Sequence, residues 1–438
     1  MNRNSVEICV IFTLRSLRPV SHAQERSCCH NCDKFIFFCF KTAHETFTPW
    51  VYLLRVMASA RRRLPSLSVN PKAPKVEGAP QKMGSNEHVM TEETENPSFH
   101  ATASCFVKDN LAIHAKGVAK RNTAKTFTVN PADIELREEV GRGASSVVRR
   151  ARHKPTGTMI VLKILRNIIT EREKRHQLIR EIEALYDADC PCLIKFYGAF
   201  YKEGQIAIAL EFMDGGSLRI MRQKVSAVIK ERCRARNIPR PKLDIPEKAL
   251  ASMAYQILAG LIYLKRKKRV HRDIKPANIL LNNRGQVKIS DFGISSELNN
   301  SVDMCGTFVG TCQYMSPERI RGGKYTYSSD IWSFGLVLIY LATGKEPYPV
   351  QDTHIGMLTS ILDERAPFLD PTKFSKDICM VVNQAVHKDK DSRLPANIMI
   401  GSPLFASPSA GIGGSVARAA TNVQEWIFEV RKWMSQGK

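Results

Sequence analysis

"VHRDIKPANIL" spans residues 270–280, and "DFG" follows at 291–293. Asp273, Lys275 and Asn278 fall inside one short polar loop, with Asp291 opening the next motif. A carboxylate that orients a hydroxyl, a lysine that neutralises moving charge, and an Asn–Asp pair offering hard oxygen donors to a divalent cation are what phosphoryl transfer requires. Their order and spacing carry that reading further than any one residue could.

Working outward, the stretch "VGRGASSVV" at 140–148 reads as a turn after a β-branched strand. Gly141 and Gly143 lack side chains, so backbone N–H groups there can approach phosphate oxygens. Ser146 stands at the third glycine of the usual G-x-G-x-x-G pattern. Lys163 closes the following strand, "MIVLK". In "EREKRHQLIREIEALYD" the spacing of Leu178, Ile182 and Leu185 predicts a helix with Glu181 on its apolar face. A carboxylate on such a face needs a cation, and Lys163 would supply it.

Beyond the junction "ALEFMDGGSL" at 209–218, helical patterns dominate. In "KALASMAYQILAGLIYL", Leu250, Met253, Ala254, Ile257, Leu258 and Leu261 follow amphipathic spacing. "IWSFGLVLIYLATG" at 331–344 is apolar all round, yet shorter than the ~18–20 residues of a membrane span, and predicts a buried helix. The expected fold class is α+β: a small β-rich lobe, a larger mainly helical lobe, and a ligand cleft between them.

The chain has 438 residues, a net charge of +23 and a pI near 9.6. That charge suits an anionic partner, but no recognition module or stacking-aromatic groove points to nucleic acid. Twelve scattered cysteines in a chain of this length point to a reducing compartment, cytoplasm or nucleus. The short run "ICVIFTL" follows Glu7 and lacks a clean cleavage site, which argues against a secretion signal.

These motifs resemble those of the protein kinases over about residues 134–405. "DFGISSEL", "FVGTCQYMSPERI" and "EFMDGGSL" look most like the MAP kinase kinases, dual-specificity enzymes of the Ste type. The resemblance implies a bilobal kinase fold using ATP and Mg²⁺. Val140, Gly141, Arg142, Gly143, Ala144, Ser145, Ser146, Val147, Val148 and Lys163 would cover the nucleotide, with Leu210, Glu211 and Met213 at the hinge. Asp273, Lys275, Lys163 and Glu181 would be the catalytic set, and Asn278 and Asp291 the metal ligands. Glu318 is expected to pair with Arg393, and Val161 replaces an alanine usual over the adenine.

By the same resemblance, Ser301 and Thr307 of "NSVDMCGTFVGT" would be phosphorylated by an upstream MAP kinase kinase kinase, with Arg272 near to receive phosphate. The substrate would be a MAP kinase, held by Arg61, Arg62, Arg63, Leu67 and Val69 of "RRRLPSLSVNP". An upstream Ste-type serine/threonine kinase and a pseudokinase scaffold stand as alternatives.

Four regions are expected: a leader at 1–56, preceding a start at Met57; a disordered basic arm at 57–131; the kinase domain at 132–405; and a tail at 406–438 with a short helix. Within the domain, the basic stretch 225–244 reads as a solvated loop between two helices. Cys29, Cys32, Cys39 and His44 have a spacing that zinc could use.

Overall fold

The sheet that carries the glycine loop and Lys163 is built from β6 (Ile134–Arg142), β7 (Ser146–His153), β8 (Met159–Leu165), β9 (Phe196–Lys202) and β10 (Gln205–Glu211). Its order is β6-β7-β8-β10-β9, and every pairing is antiparallel. In this computed structural model the described residues are 99–435 apart from 102–104, 109, 121–122, 124–125, 144–145, 166–171, 203, 292–311, 350 and 352. The chain divides into two compact units, of which the second, Tyr52–Lys438, holds all of them. Ser301, Thr307, the 61–69 docking residues, the 1–56 leader with its zinc-like spacing, Ala144 and Ser145 lie outside the described residues.

The expectation of a disordered arm through residue 131 is corrected at its far end. Residues 99–128 form a second antiparallel meander: β1 (Phe99–Ala101), β2 (Cys105–Lys108), β3 (Leu111–His114), β4 (Gly117–Lys120) and β5 (Thr126–Thr128). Phe106, Leu111, Ile113 and Val118 are buried, and Phe106 meets Tyr201 of β9 with ring centroids 6.1 Å apart. Phe127 stands edge-on to both Tyr186 and Phe196, at 5.0 and 4.9 Å. Strands of three or four residues hide in a composition averaged over a polar arm, but their alternation suffices to bury one face.

Against β9 of the small lobe packs α1 (Arg172–Tyr186), whose Leu178, Ile182 and Leu185 are buried as their spacing requires. The large lobe begins with β11 (Gly216–Ser217) and α2 (Leu218–Arg236), N-capped by Ser217 accepting from the Ile220 N–H. This helix corrects the second expectation: residues 225–236 of the basic stretch are helical, with Val225 and Ile229 in the core. The chain then leaves through Asn237, at φ 48°. Asp244 pins the remainder, bonded to Arg222 at 2.9 Å and Arg240 at 2.6 Å.

At the centre lies α3 (Glu247–Arg266), buried continuously from Ala249 to Leu264. β12 (Ile279–Leu281) and β13 (Val287–Ile289) pair beside it, followed by α4 (Tyr327–Thr343), α5 (His354–Asp363) and α6 (Lys376–Ala385). α4 is the apolar helix expected at 331–344, buried from Ser329 to Ala342. The tail is longer in structure than expected: α7 (Val416–Ser435) runs 20 residues. Ala419, Val423, Trp426 and Val430 of α7 are buried, and its Asn422 donates to Ser252 Oγ of α3 at 3.0 Å. Among the described residues no helix is long and apolar enough to cross a membrane.

Candidate active site

The loop after α3 is fixed from below by one carboxylate. Asp330, 3% exposed in the first turn of α4, accepts the N–H groups of His271 (2.8 Å) and Arg272 (3.0 Å) and the Tyr325 hydroxyl (3.1 Å). Burial pushes its carboxyl up, against the pull of His271 and these donors. Arg272 sits at φ 72°, a conformation costly for a side-chain-bearing residue, and the neighbouring amide bonds to one acid hold it there. His271 Nε2 donates to Ser290 O at 2.9 Å, and its Nδ1 accepts the Asp273 N–H at 3.2 Å.

Asp273 is oriented in turn. Its Oδ2 accepts from Asn278 Nδ2 at 2.7 Å and from Lys275 Nζ at 2.8 Å. The antiparallel register Ile279↔Ile289 brings Asn278 and Asp291 out at the same end of the β12–β13 hairpin. Ser290 tightens that end by donating its N–H and Oγ to Asn278 O, at 2.9 and 3.0 Å.

From the other lobe comes Lys163. Its Nζ lies 2.9 Å from Glu181 Oε1 and 2.9 Å from Asp291 Oδ1, so one ammonium joins β8, α1 and the end of β13. Desolvation acts to lower the lysine, but the two carboxylates outweigh it and hold the ammonium above its ordinary value. Lys163 in turn holds the Asp291 carboxyl below the usual range. Burial drives Glu181 the opposite way: its carboxyl is pushed up, and its Oε2 is buried without a hydrogen-bond partner.

The glycine loop closes through Gly143 N–H donating to Ser146 O at 2.8 Å. Sheet register sets Val148 directly beside Lys163, and Val161 beside Leu210. Val147 is buried, whereas Val140 is 49% exposed and Arg142 turns outward to Glu139. At the hinge Met213 is buried, and the Glu211 carboxylate is committed to Lys288 at 2.7 Å. Glu318 and Arg393 form the expected pair, bidentate at 2.8 and 2.7 Å, with Ser329 Oγ adding a third donor at 2.7 Å. Burial would raise Glu318, but hydrogen bonds from Arg393 and Ser329 prevail and hold it at about 2.

The donor set fits a hard divalent cation. The Asn278 amide nitrogen is spent on Asp273, which leaves the amide oxygen as its acceptor, and Asp291 brings a carboxylate kept ionised by Lys163. One carboxylate and one amide oxygen, completed by phosphate oxygens and water, are a common way for proteins to hold Mg²⁺. Sequence reasoning singles out neither Asp330 nor Lys288 as a residue, although "SDIWSFG" at 329–335 resembles the buried kinase helix that anchors this loop. An acid in the first turn of an apolar helix looks like a partner of the helix dipole, and only the folded loop shows it holding His271 and Arg272.

Comparison with known proteins agrees with this geometry. The protein kinase domain family matches residues 134–405. The chain is 44% identical over 270 residues to mitogen-activated protein kinase kinase 3 of Arabidopsis thaliana, covering 61% of this chain and 48% of that relative. It is thus matched to about half the length of that protein. Mitogen-activated protein kinase kinase SIPKK of Nicotiana tabacum is 39% identical over 281 residues, with 63% and 74% covered. Mitogen-activated protein kinase kinase 2 of Arabidopsis thaliana is 37% identical over 324 residues, with 70% and 84% covered. The chain belongs to the protein kinase family and, within it, to the MAP kinase kinases.

Proposed function

We propose that this protein is a dual-specificity MAP kinase kinase, acting in the cytoplasm or nucleus, that transfers the γ-phosphate of ATP to a threonine and a tyrosine in the activation loop of a MAP kinase. The observation that carries the reading is the joining of Lys163 to both Glu181 and Asp291 above an Asp273 already held by Asn278 and Lys275. Lys163 binds phosphate oxygens of the nucleotide. Asp273 orients the substrate hydroxyl and takes its proton, and Lys275 offsets charge on the transferring group. Asn278 and Asp291 would hold Mg²⁺, which when bound neutralises phosphate charge. The full set speaks against a scaffold without catalysis. Phosphorylation of Ser301 and Thr307 by an upstream kinase switches the enzyme on, and Arg61, Arg62, Arg63, Leu67 and Val69 tether the substrate.

The test is to incubate the full chain, activated by an upstream kinase, with ATP, Mg²⁺ and a panel of inactive MAP kinases, and to map the phosphates. Modification of both the threonine and the tyrosine of one activation loop is expected. Modification of serine and threonine alone would move the protein to the upstream class, and no transfer to any member would overturn the reading.

A further inference from the structure

Between α1 and β9 the sequence "DCPC" places two thiols two residues apart, at Cys190 and Cys192. Leu193 N–H donates to Cys190 O at 3.2 Å, closing a tight turn with Pro191 and Cys192 at its centre. Both thiols are free. The neighbouring Cys192, helped by the Lys288 ammonium, holds the Cys190 thiol below its ordinary range against burial and the charge of Asp189. Cys190 is partly exposed, whereas Cys192 is 1% exposed. The more exposed of the two cysteines is therefore also the one whose thiolate is favoured, and the turn keeps Cys192 two residues away from it.

The turn is bonded to the strand that delivers the metal-site aspartate. Ile289 N–H donates to Cys192 O at 2.9 Å, and Ile194 N–H donates back to Ile289 O at 3.0 Å. Ile289 precedes Asp291 by two residues. Behind the turn there is no slack: a Cβ on Gly260 of α3 would lie 3.5 Å from Cys192 Cβ and 2.9 Å from Ile289 Cδ1.

We propose that Cys190 and Cys192 form a hydroperoxide-sensitive dithiol site whose oxidation to a disulfide weakens ATP binding through β13. The Cys190 thiolate attacks the terminal oxygen of a hydroperoxide; the O–O bond breaks, the alkoxide leaves and takes a proton, and Cys190 becomes a sulfenic acid. The Cys192 sulfur then attacks the Cys190 sulfur, the S–O bond breaks, and the departing hydroxide takes the Cys192 proton to leave as water. In sum two thiols and one hydroperoxide give a disulfide, an alcohol and water: the cysteines lose two electrons and the peroxide gains them. A disulfide bridging one intervening residue closes a small ring, which makes it labile and reversible by thiols. Forming it redraws the turn, and the Cys192 carbonyl is pulled from the Ile289 N–H.

The experiment uses the full-length protein, treated with hydrogen peroxide and then either a thiol reductant or buffer. Tryptic cleavage after Arg180 and Lys195 gives one peptide containing both cysteines and no other. That peptide is expected lighter by two hydrogen atoms after peroxide, with the Kd for ATP raised about tenfold, the size of one lost hydrogen bond, and both changes reversed by reductant. Cys190→Ser should keep its ATP affinity under peroxide, and Cys192→Ser should hold a sulfenic acid that dimedone traps. An unoxidised peptide, a disulfide that leaves the Kd unchanged, or a Cys190→Ser protein that loses affinity like the wild type would each overturn the proposal. The peptide mass is read on the wild type, so the test stands even if a variant fails to fold.

Discussion

Two buried cation–carboxylate groups serve opposite ends in this molecule. Arg393 and Glu318 are matched one to one: two parallel bonds, a third donor from Ser329, and an arginine side chain with 0% exposure. Lys163 is shared between two acids, one of which leaves an oxygen buried without a partner. The saturated pair is suited to holding the stretch around Glu318 against the large lobe. In the shared group a competitor for any one member can enter without leaving an uncompensated charge, because Glu181, already pushed up by burial, can take a proton. Saturation marks a strut, and oversubscription marks a place where partners change.

Arg393→Ala should break this contrast most severely. Glu318, held at about 2 chiefly by Arg393, would lose its cation and keep only Ser329 as a side-chain donor in a largely buried place, at a cost of about 3–5 kcal/mol. The check is the urea midpoint, and a shift under about 1 kcal/mol would mean the pair is dispensable. Lys163→Met should invert the pattern, lowering kcat about 100- to 1,000-fold while moving the melting temperature far less, since Glu181 can neutralise itself. Equal losses of activity and stability would show Lys163 to be a strut as well.

The difference can be sharpened with acid. Glu318 is depressed in the folded state, so its contribution is full above the pKa it has unfolded and disappears as pH falls through its folded value of about 2. Urea unfolding of wild type and Glu318→Gln should differ by on the order of 3 kcal/mol above about pH 5, with the gap closing toward pH 2. A gap independent of pH would assign the effect to packing. The smallest change belongs to Lys120→Ala, which removes an ion pair to Asp187 at 3.2 Å whose members are 22% and 40% exposed. It should cost about 0–1 kcal/mol in the same unfolding assay, and less in high salt.

What could be seen in the sequence follows from how each contact is encoded. Asp273, Asn278 and Asp291 lie close along the chain, so their spacing alone announced them, and helix phase sufficed to aim Glu181 at the interior. The shared geometry of Lys163 involves partners 18 and 128 positions away, and only the closed lobes set its distances. The stretch "SDIWSFG" at 329–335 resembles a loop-anchoring helix, but that Asp330 does the anchoring shows only in the fold, because its loop partners are backbone amides that carry no sequence mark. The alternation in β3, with Leu111 and Ile113 inward, was lost among lysines and threonines. A short helix was expected in the tail, and the burial of Ala419, Val423, Trp426 and Val430 along one face explains why α7 extends over 20 residues.

Gly285, in the turn between β12 and β13, has φ 72°, and a Cβ there would strike the backbone of α7 at Ala420 O and Gln424 N. The same turn is gripped from the other side by Gln256 of α3, which donates to Gly285 O and accepts the Val287 N–H. The last helix therefore works as a wedge beneath the hairpin that presents Asn278 and Asp291, although it lies beyond the stretch shared with the kinase family at 134–405. Cutting the chain at that boundary would strip the floor from under the metal-site hairpin and leave Ser252 and Lys248 of α3 without their partners Asn422 and Glu425. The domain that inheritance defines and the domain that packing defines end some thirty residues apart.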